Sequence, residues 1–333
     1  MRNSLLALIL SILLCLSLFA GCSSAGSPDG AADLNGTTDK LNVVATVFPA
    51  YDWTKNLLGD RAEAVELTML LDSGVDLHSY QPTADDMIRI STCDIFLYVG
   101  GESDRWVADA LKEKVNQDMT VLSLLDLLGE NAKQEELAEG MESDKDEGED
   151  ADEGPEYDEH VWLSLKNAQI LCGKIAQALA DKDPAGKDSY DRALADYTAR
   201  LSALDEQYAD MVSHAARTTV LFGDRFPFRY LTDDYGLTYY GAFAGCSAET
   251  EASFETVAFL AGKVDELALP YVLTLEGTDH RLAQTIIDTS AAKSAEILTL
   301  DSMQSITAAK VRSGADYLDL MEQNLAVFTQ ALN

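Results

Sequence analysis

Leu70-Leu71-Asp72-Ser73-Gly74-Val75-Asp76-Leu77-His78-Ser79-Tyr80-Gln81-Pro82-Thr83 sets a histidine on a loop punctuated by Gly74 and Pro82, directly after an apolar run. The chain has only 4 histidines in 333 residues. His160 closes a long acidic run, and His280 sits in the turn after the apolar run 271–275. Three of the four thus mark the mouths of strand-to-loop junctions, where a parallel α/β protein gathers its ligand sites. The fourth, His214, stands beside Ala215 and Ala216 on a helical stretch and reads as a packed or solvated helix residue.

Outward from this loop, strand and helix patterns alternate. Residues 41–47 (LNVVATV) are a β-branched apolar run, broken at Phe48-Pro49, and 50–58 read as a helix ending at Gly59. A second strand over 64–70 leads into the His78 loop. A helix over 83–90 follows, with Asp85 and Asp86 in its first turn, where the helix dipole favours them. Residues 94–99 (DIFLYV) form a third strand closed by Gly100-Gly101. Such alternation predicts a parallel sheet with right-handed crossovers.

The segment 130–159 differs in kind. Between Glu142 and Glu159, 11 of 18 residues are Asp or Glu and one is Lys, so the run repels itself and is expected to be a mobile, solvated loop. Helical patterns resume over 165–180 and 187–214, separated by Pro184 and Gly186. The second, with Leu194, Tyr197, Leu201, Leu204, Tyr208 and Met211 at three- and four-residue steps, would be about 40 Å long at 1.5 Å per residue. That length suits a rigid strut between two lobes. Beyond it the alternation repeats: strand 218–223, helix 226–235, strand 238–243, helix 254–266, strand 271–275, helix 280–289, strand 297–300 and helix 316–331.

A chain of this length exceeds one small core, and two α/β domains are the natural expectation. Its net charge of −33 argues against nucleic acid or an anionic membrane surface as partner. Residues 1–22 combine Arg2, an apolar stretch from Leu5 to Phe19 and the small residues before Cys22, the pattern of an export signal too short to span a membrane. Leu18-Phe19-Ala20-Gly21-Cys22 resembles the bacterial lipobox, which implies that Cys22 is lipidated. Residues 23–40 are small and polar, as a flexible tether would be. Of the remaining cysteines, Cys93, Cys172 and Cys246, none forms a C-x-x-C pair, so a thiolate cluster is not expected; one disulfide is allowed, with its pairing open.

Taken in order, Asp72-Ser73-Gly74-Val75-Asp76-Leu77-His78-Ser79-Tyr80-Gln81-Pro82-Thr83, Asp94-Ile95-Phe96-Leu97-Tyr98-Val99-Gly100-Gly101 and Asp158-Glu159-His160-Val161-Trp162-Leu163 are similar to the zinc- and manganese-binding receptors of bacterial metal ABC importers, in particular the zinc-uptake type. The resemblance runs from about Leu41 to the C-terminus. It implies two α/β lobes, each with a short parallel sheet flanked by helices, joined by one long rigid helix. The expected division is an N-terminal lobe over 41–183, a linking helix over 184–215 and a C-terminal lobe over 216–333. The metal would lie between the lobes with two ligands from each.

By that resemblance His78 and His160 are the first two ligands. The third position, a His or Glu in the family, falls in Phe222-Gly223-Asp224-Arg225-Phe226-Pro227-Phe228-Arg229-Tyr230, before Tyr235-Gly236-Leu237. Arg225 is in register, but an arginine stays protonated and cannot ligate, so Asp224, one position away, is taken. Its alternative role is to cap the next helix and pair with Arg225 or Arg229. For the fourth, Leu275-Glu276-Gly277-Thr278-Asp279-His280-Arg281 offers Glu276, Asp279 and His280, of which His280 has the better register.

Three histidines and one carboxylate suit zinc, with manganese second. The resemblance implies a lipid-anchored, monomeric receptor on the extracytoplasmic face of the cell membrane, not an enzyme, that passes its metal to an ABC permease. A secreted zinc hydrolase is the rival from another class; it would need a general base, and none follows a histidine at motif spacing. A metal-dependent surface adhesin is a third reading, suggested for some relatives. No nucleotide, dinucleotide or serine-hydrolase motif is present.

Overall fold

The β-branched run that opens the chain becomes the centre of a sheet. In the computed structural model, which describes residues 40–142, 156–247 and 251–333, β1 (Leu41–Ala45) pairs in parallel with β2 (Val65–Met69) on one side and β3 (Ile95–Tyr98) on the other. An edge strand, β4 (Thr120–Ser123), completes the order β2-β1-β3-β4. Between them lie α1 (Phe48–Leu57), α2 (Ala84–Thr92) and α3 (Val107–Lys112), and α4 (Leu124–Leu128) follows. Cys22 with the export signal and tether, and the acidic residues 143–155, lie outside the described residues.

Two backbone hydrogen bonds, Leu70 N to Ala45 O at 2.9 Å and Leu71 N to Thr46 O at 3.0 Å, carry the β1–β2 pairing past the strand ends. They fix where the His78 loop leaves the sheet. The loop's far end is held by a capping box, in which Thr83 Oγ1 accepts from Asp86 N while Asp86 accepts from Thr83 N.

Helix α5 (Leu165–Lys182) leads to the long helix α6 (Lys187–His214), whose 28 residues match the expected span. Tyr190, Tyr197, Leu201, Leu204 and Tyr208 are its buried stripe. His214, its last residue, is exposed, with Nδ1 2.8 Å from Asp210 O, as expected of a solvated helix end.

The second half is built from short parallel pairs. β5 (Thr219–Leu221) pairs with β7 (Thr238–Tyr240), β6 (Arg225–Phe226) with β8 (Phe243–Ala244), and β9 (Tyr271–Leu275) with β10 (Glu296–Leu300). A bridge from Phe222 to Leu273 links the first pair to the last. Helices α7 (Arg229–Tyr235), α8 (Phe254–Glu266), α9 (Arg281–Thr289), α10 (Ala308–Arg312) and α11 (Tyr317–Leu332) surround them. The arrangement is that of short parallel sheets flanked by helices with one long helix, as expected. A large apolar core spans β1, α5, α6 and α11, and a second, smaller one fills the space among β9, α8 and α9.

Two elements depart from the sequence expectation. The helix expected from Phe226 begins only at Arg229, because Pro227 holds Phe226 extended and lets it pair in β6. The acidic segment is not loose at its ends. Gln134 bridges Tyr157, Glu142 N donates to Ala242 O at 3.0 Å, and Lys133 N donates to Tyr230 Oη at 2.9 Å.

Candidate metal centre

His78 sits in a single 3-10 turn, Leu77–Ser79, that Asp76 caps: its Oδ1 accepts from His78 N at 3.0 Å. The same carboxylate reaches across to Arg225, 2.9 Å away. Burial works to raise the Asp76 carboxyl, but Arg225 and His78 outweigh it and hold it below the usual carboxylate range.

His160 is placed more rigidly. Asp158, Glu159 and His160 are 1%, 1% and 0% exposed, so the last residues of the acidic run are interior scaffold rather than solvated loop. Asp158 Oδ1 accepts from both His160 N, at 2.9 Å, and His160 Nδ1, at 2.8 Å. Tyr230 Oη anchors the Asp158 carbonyl at 3.0 Å, and Trp162 lays its ring edge-on to the imidazole at 5.5 Å between centroids. Trp162 is itself pinned through Nε1 to Ser302 O at 2.8 Å.

The two imidazoles meet through Nε2, 3.2 Å apart. Their other nitrogens are engaged: His160 Nδ1 by Asp158, and His78 Nδ1 by Ser103 Oγ at 2.7 Å with Glu159 Oε2 at 3.4 Å. A carboxylate only accepts, so it assigns the His160 proton to Nδ1 and leaves Nε2 as a lone pair. Burial alone would lower the His160 pKa, but Asp158 and Glu159 raise it above its ordinary value. Glu159, whose Oε1 accepts from Ser103 N at 2.8 Å, is pushed up by burial yet ends below its usual range because of His78 and Ser103. Gly101 makes room for it: a Cβ there would lie 2.4 Å from Glu159 Oε1.

A third side chain joins them. The ligand atoms of His78, His160 and Cys246 all lie within 4.8 Å of one another. Cys246 follows β8 in a turn closed by Ser247 N to Ala244 O, and its own amide donates to Glu135 Oε1 at 3.1 Å. Gly245 lets that turn approach, since a Cβ there would stand 3.0 Å from His160 Cε1 and Nδ1. Burial first, then Asp158, Glu159 and Glu135, push the thiol well above its ordinary range, against the hydrogen-bonding amide of Glu159. In the sequence Cys246 was legible only as a candidate for a disulfide; Cys93, Cys172 and Cys246 are all free.

Asp224 and His280 do not join this cluster, which among the described residues is the one group of its kind. Asp224 is spent on the backbone: Oδ1 accepts from Arg225 N at 2.9 Å and Oδ2 from Leu275 N at 3.2 Å, clamping the end of β5 to the end of β9. His280 adopts a left-handed backbone with φ 59° ahead of α9, and its Nδ1 lies 2.8 Å from Thr274 Oγ1. Asp279 pairs with the neighbouring Arg281. Glu276 accepts from Ser302 N and Ser302 Oγ, each at 2.8 Å, and burial with Asp301 nearby raises its carboxyl to about 7. Arg225, in register with the family's third ligand, bridges Asp76 and Ser247 O instead.

Residues 43–331 match the family described as zinc-uptake complex component A, periplasmic. The chain belongs to that family. It is 32% identical over 321 residues to the zinc-binding lipoprotein AdcA of Streptococcus pneumoniae, covering 95% of this chain and 59% of that one. The chain therefore spans about three-fifths of the length of that relative. With the high-affinity zinc uptake system protein ZnuA of Bacillus subtilis it shares 28% identity over 320 residues, 96% of this chain and 95% of the other. The Zn(II)-bound ZnuA-like domain of Streptococcus pneumoniae AdcA superposes with a TM-score of 0.67 at 26% identity, covering 88% of this chain and 99% of that domain. Among the described residues no helix is long and apolar enough to cross a membrane.

Proposed function

We propose that this protein is an extracytoplasmic receptor that captures zinc on His78 and His160 and delivers it to an ABC import permease. The observation that carries the reading is the pair of Nε2 atoms 3.2 Å apart with both Nδ1 atoms occupied. Two imidazoles on one tetrahedral zinc, with Zn–N of about 2.0–2.1 Å, hold their nitrogens about 3.3 Å apart. Without a cation or proton between them, such lone pairs repel.

The surrounding chemistry supports a borderline cation rather than a hard one. Imidazole nitrogen suits zinc, whereas manganese prefers an oxygen-rich site, and among the described residues neither Asp224 nor Glu276 belongs to the group that His78 and His160 form. Asp158 and Glu159 orient the rings and strengthen them as donors, the usual task of carboxylates behind metal-bound histidines. Relatives named for zinc binding and zinc uptake agree with this assignment. The role is binding and transfer, not catalysis. Lipidation of Cys22 would tether a monomeric receptor beside its permease.

Competition titration against a chromophoric zinc chelator tests the reading. The full chain should take up one zinc tightly, and His78→Ala and His160→Ala should each weaken binding at least about a hundredfold, more than loss of a partner behind a ligand costs. Unchanged affinity in both variants would overturn it.

A further inference from the structure

We infer that Cys246 binds the captured metal through its sulfur, so that this chain presents two imidazoles and one thiolate to its cargo. The inference rests on the reading of His78 and His160 as ligands and adds a donor that the sequence resemblance does not imply.

The placement of Cys246 is built rather than incidental. Three independent contacts converge on its turn. Gly245 is the residue that lets the backbone close on the His160 ring. Glu135, from the segment that pairs with Tyr157 and Asp158, holds the Cys246 amide. Arg225 ties the neighbouring Ser247 carbonyl, at 3.3 Å, to Asp76, which caps the His78 turn. The two loops that carry His78 and Cys246 are thus joined through one guanidinium. That same arginine occupies the register position expected of a third ligand, where a permanent cation cannot ligate.

Geometry permits the bond. Zinc holds a sulfur at about 2.3 Å and a nitrogen at about 2.0–2.1 Å, so S and N on one tetrahedral ion stand about 3.6 Å apart. One ligand atom from each of the three side chains lies within 4.8 Å of the other two, close to that spacing. When the Zn–S bond forms, the thiol proton leaves to solvent and the metal keeps its charge of two. Among the described residues no fourth His, Cys, Asp or Glu joins the group.

The consequence is selectivity. A thiolate favours zinc and softer divalent ions such as cadmium and discriminates against manganese and calcium. A site of histidines and carboxylates alone would separate zinc from manganese less sharply.

Cobalt(II) loading of the full chain tests this directly, because a cobalt–thiolate bond adds a near-ultraviolet charge-transfer band that nitrogen and oxygen ligands do not give. Wild type should show that band together with the visible bands of a tetrahedral ion. Cys246→Ser should lose the near-ultraviolet band, keep cobalt binding through the histidines, and bind zinc at least about a hundredfold more weakly. Should Cys246→Ser fail to fold, alkylation of wild type mapped by mass spectrometry gives the same answer: zinc should protect Cys246, and chelation should expose it. A cobalt-loaded wild type without the thiolate band, or equal alkylation with and without zinc, overturns the inference and leaves the histidine pair standing. A wild type that takes up neither cobalt nor zinc overturns both.

Discussion

His78 and His160, 82 residues apart in the chain, face each other through Nε2 at 3.2 Å while a carboxylate stands behind each ring. Two loops from one half of the molecule supply this pair, and the turn after β8 closes on it from the other half. An ion bound as proposed would touch both of these parts of the chain.

Asp158 does two tasks for His160, accepting from its amide and from its ring. Asp158→Ala should therefore weaken zinc binding about 10- to 100-fold while leaving one site per chain. Asp158→Asn keeps an acceptor oxygen and should recover part of the loss. Calorimetric or chelator titration of the three proteins measures both effects.

Asp224 and His280 should behave as structural residues. Removing the Asp224 carboxylate leaves the amides of Arg225 and Leu275 without their acceptor, worth about 1–3 kcal/mol of stability. Denaturant unfolding should show this for Asp224→Ala, with zinc affinity within a few-fold of wild type. His280→Ala should also retain zinc. A hundredfold loss of affinity in either variant would return that residue to the ligand set.

Gly245→Ala should disturb the site without touching a donor. The added methyl would meet the His160 ring at 3.0 Å and Phe226 O at 2.9 Å, so the turn must retreat. Overpacking of this kind costs about 1–3 kcal/mol. Weaker zinc binding with an otherwise intact fold by circular dichroism is the expected result.

Glu276 sets a pH dependence of stability. Its folded-state pKa of about 7 lies above the ordinary 4.5, so the folded chain holds a proton that the unfolded chain has released between those values. Stability contributed by this group is therefore greatest at low pH and falls as pH rises from 4.5 through about 7. Full ionisation costs on the order of 3 kcal/mol. Glu276→Gln, which can keep the hydrogen bonds to Ser302, should flatten that decline, and its melting temperature should gain on wild type above pH 7.

How much of this was legible beforehand follows from what each signal depends on. The 28-residue helix could be read because its apolar stripe is local and repeats. His78 and His160 stand out because Gly74, Pro82 and the end of an acidic run mark their loops, and the fold brings their Nε2 atoms to 3.2 Å. The edges of the second half could not, since strands of two or three residues such as β6 and β8 carry no periodicity. Pairing alone defines them. Asp158 and Glu159 looked like solvated charge, and only the fold shows that buried imidazoles and backbone amides compensate them. Register points to Arg225 and His280, and Asp224 is taken only because an arginine cannot ligate; register does not tell that Asp224 accepts from the amides of Arg225 and Leu275 or that His280 meets Thr274. Cys246 reads from sequence only as a disulfide candidate, because a lone cysteine acquires its neighbours here through the long-range pairing of β8.

The most direct test of the central claim is a crystal of the zinc-loaded chain, with anomalous scattering collected on either side of the zinc edge. One peak within bonding distance of His78 Nε2 and His160 Nε2 is the predicted result. A peak at Asp224 or His280 without those two nitrogens, or no peak between the imidazoles, would contradict it.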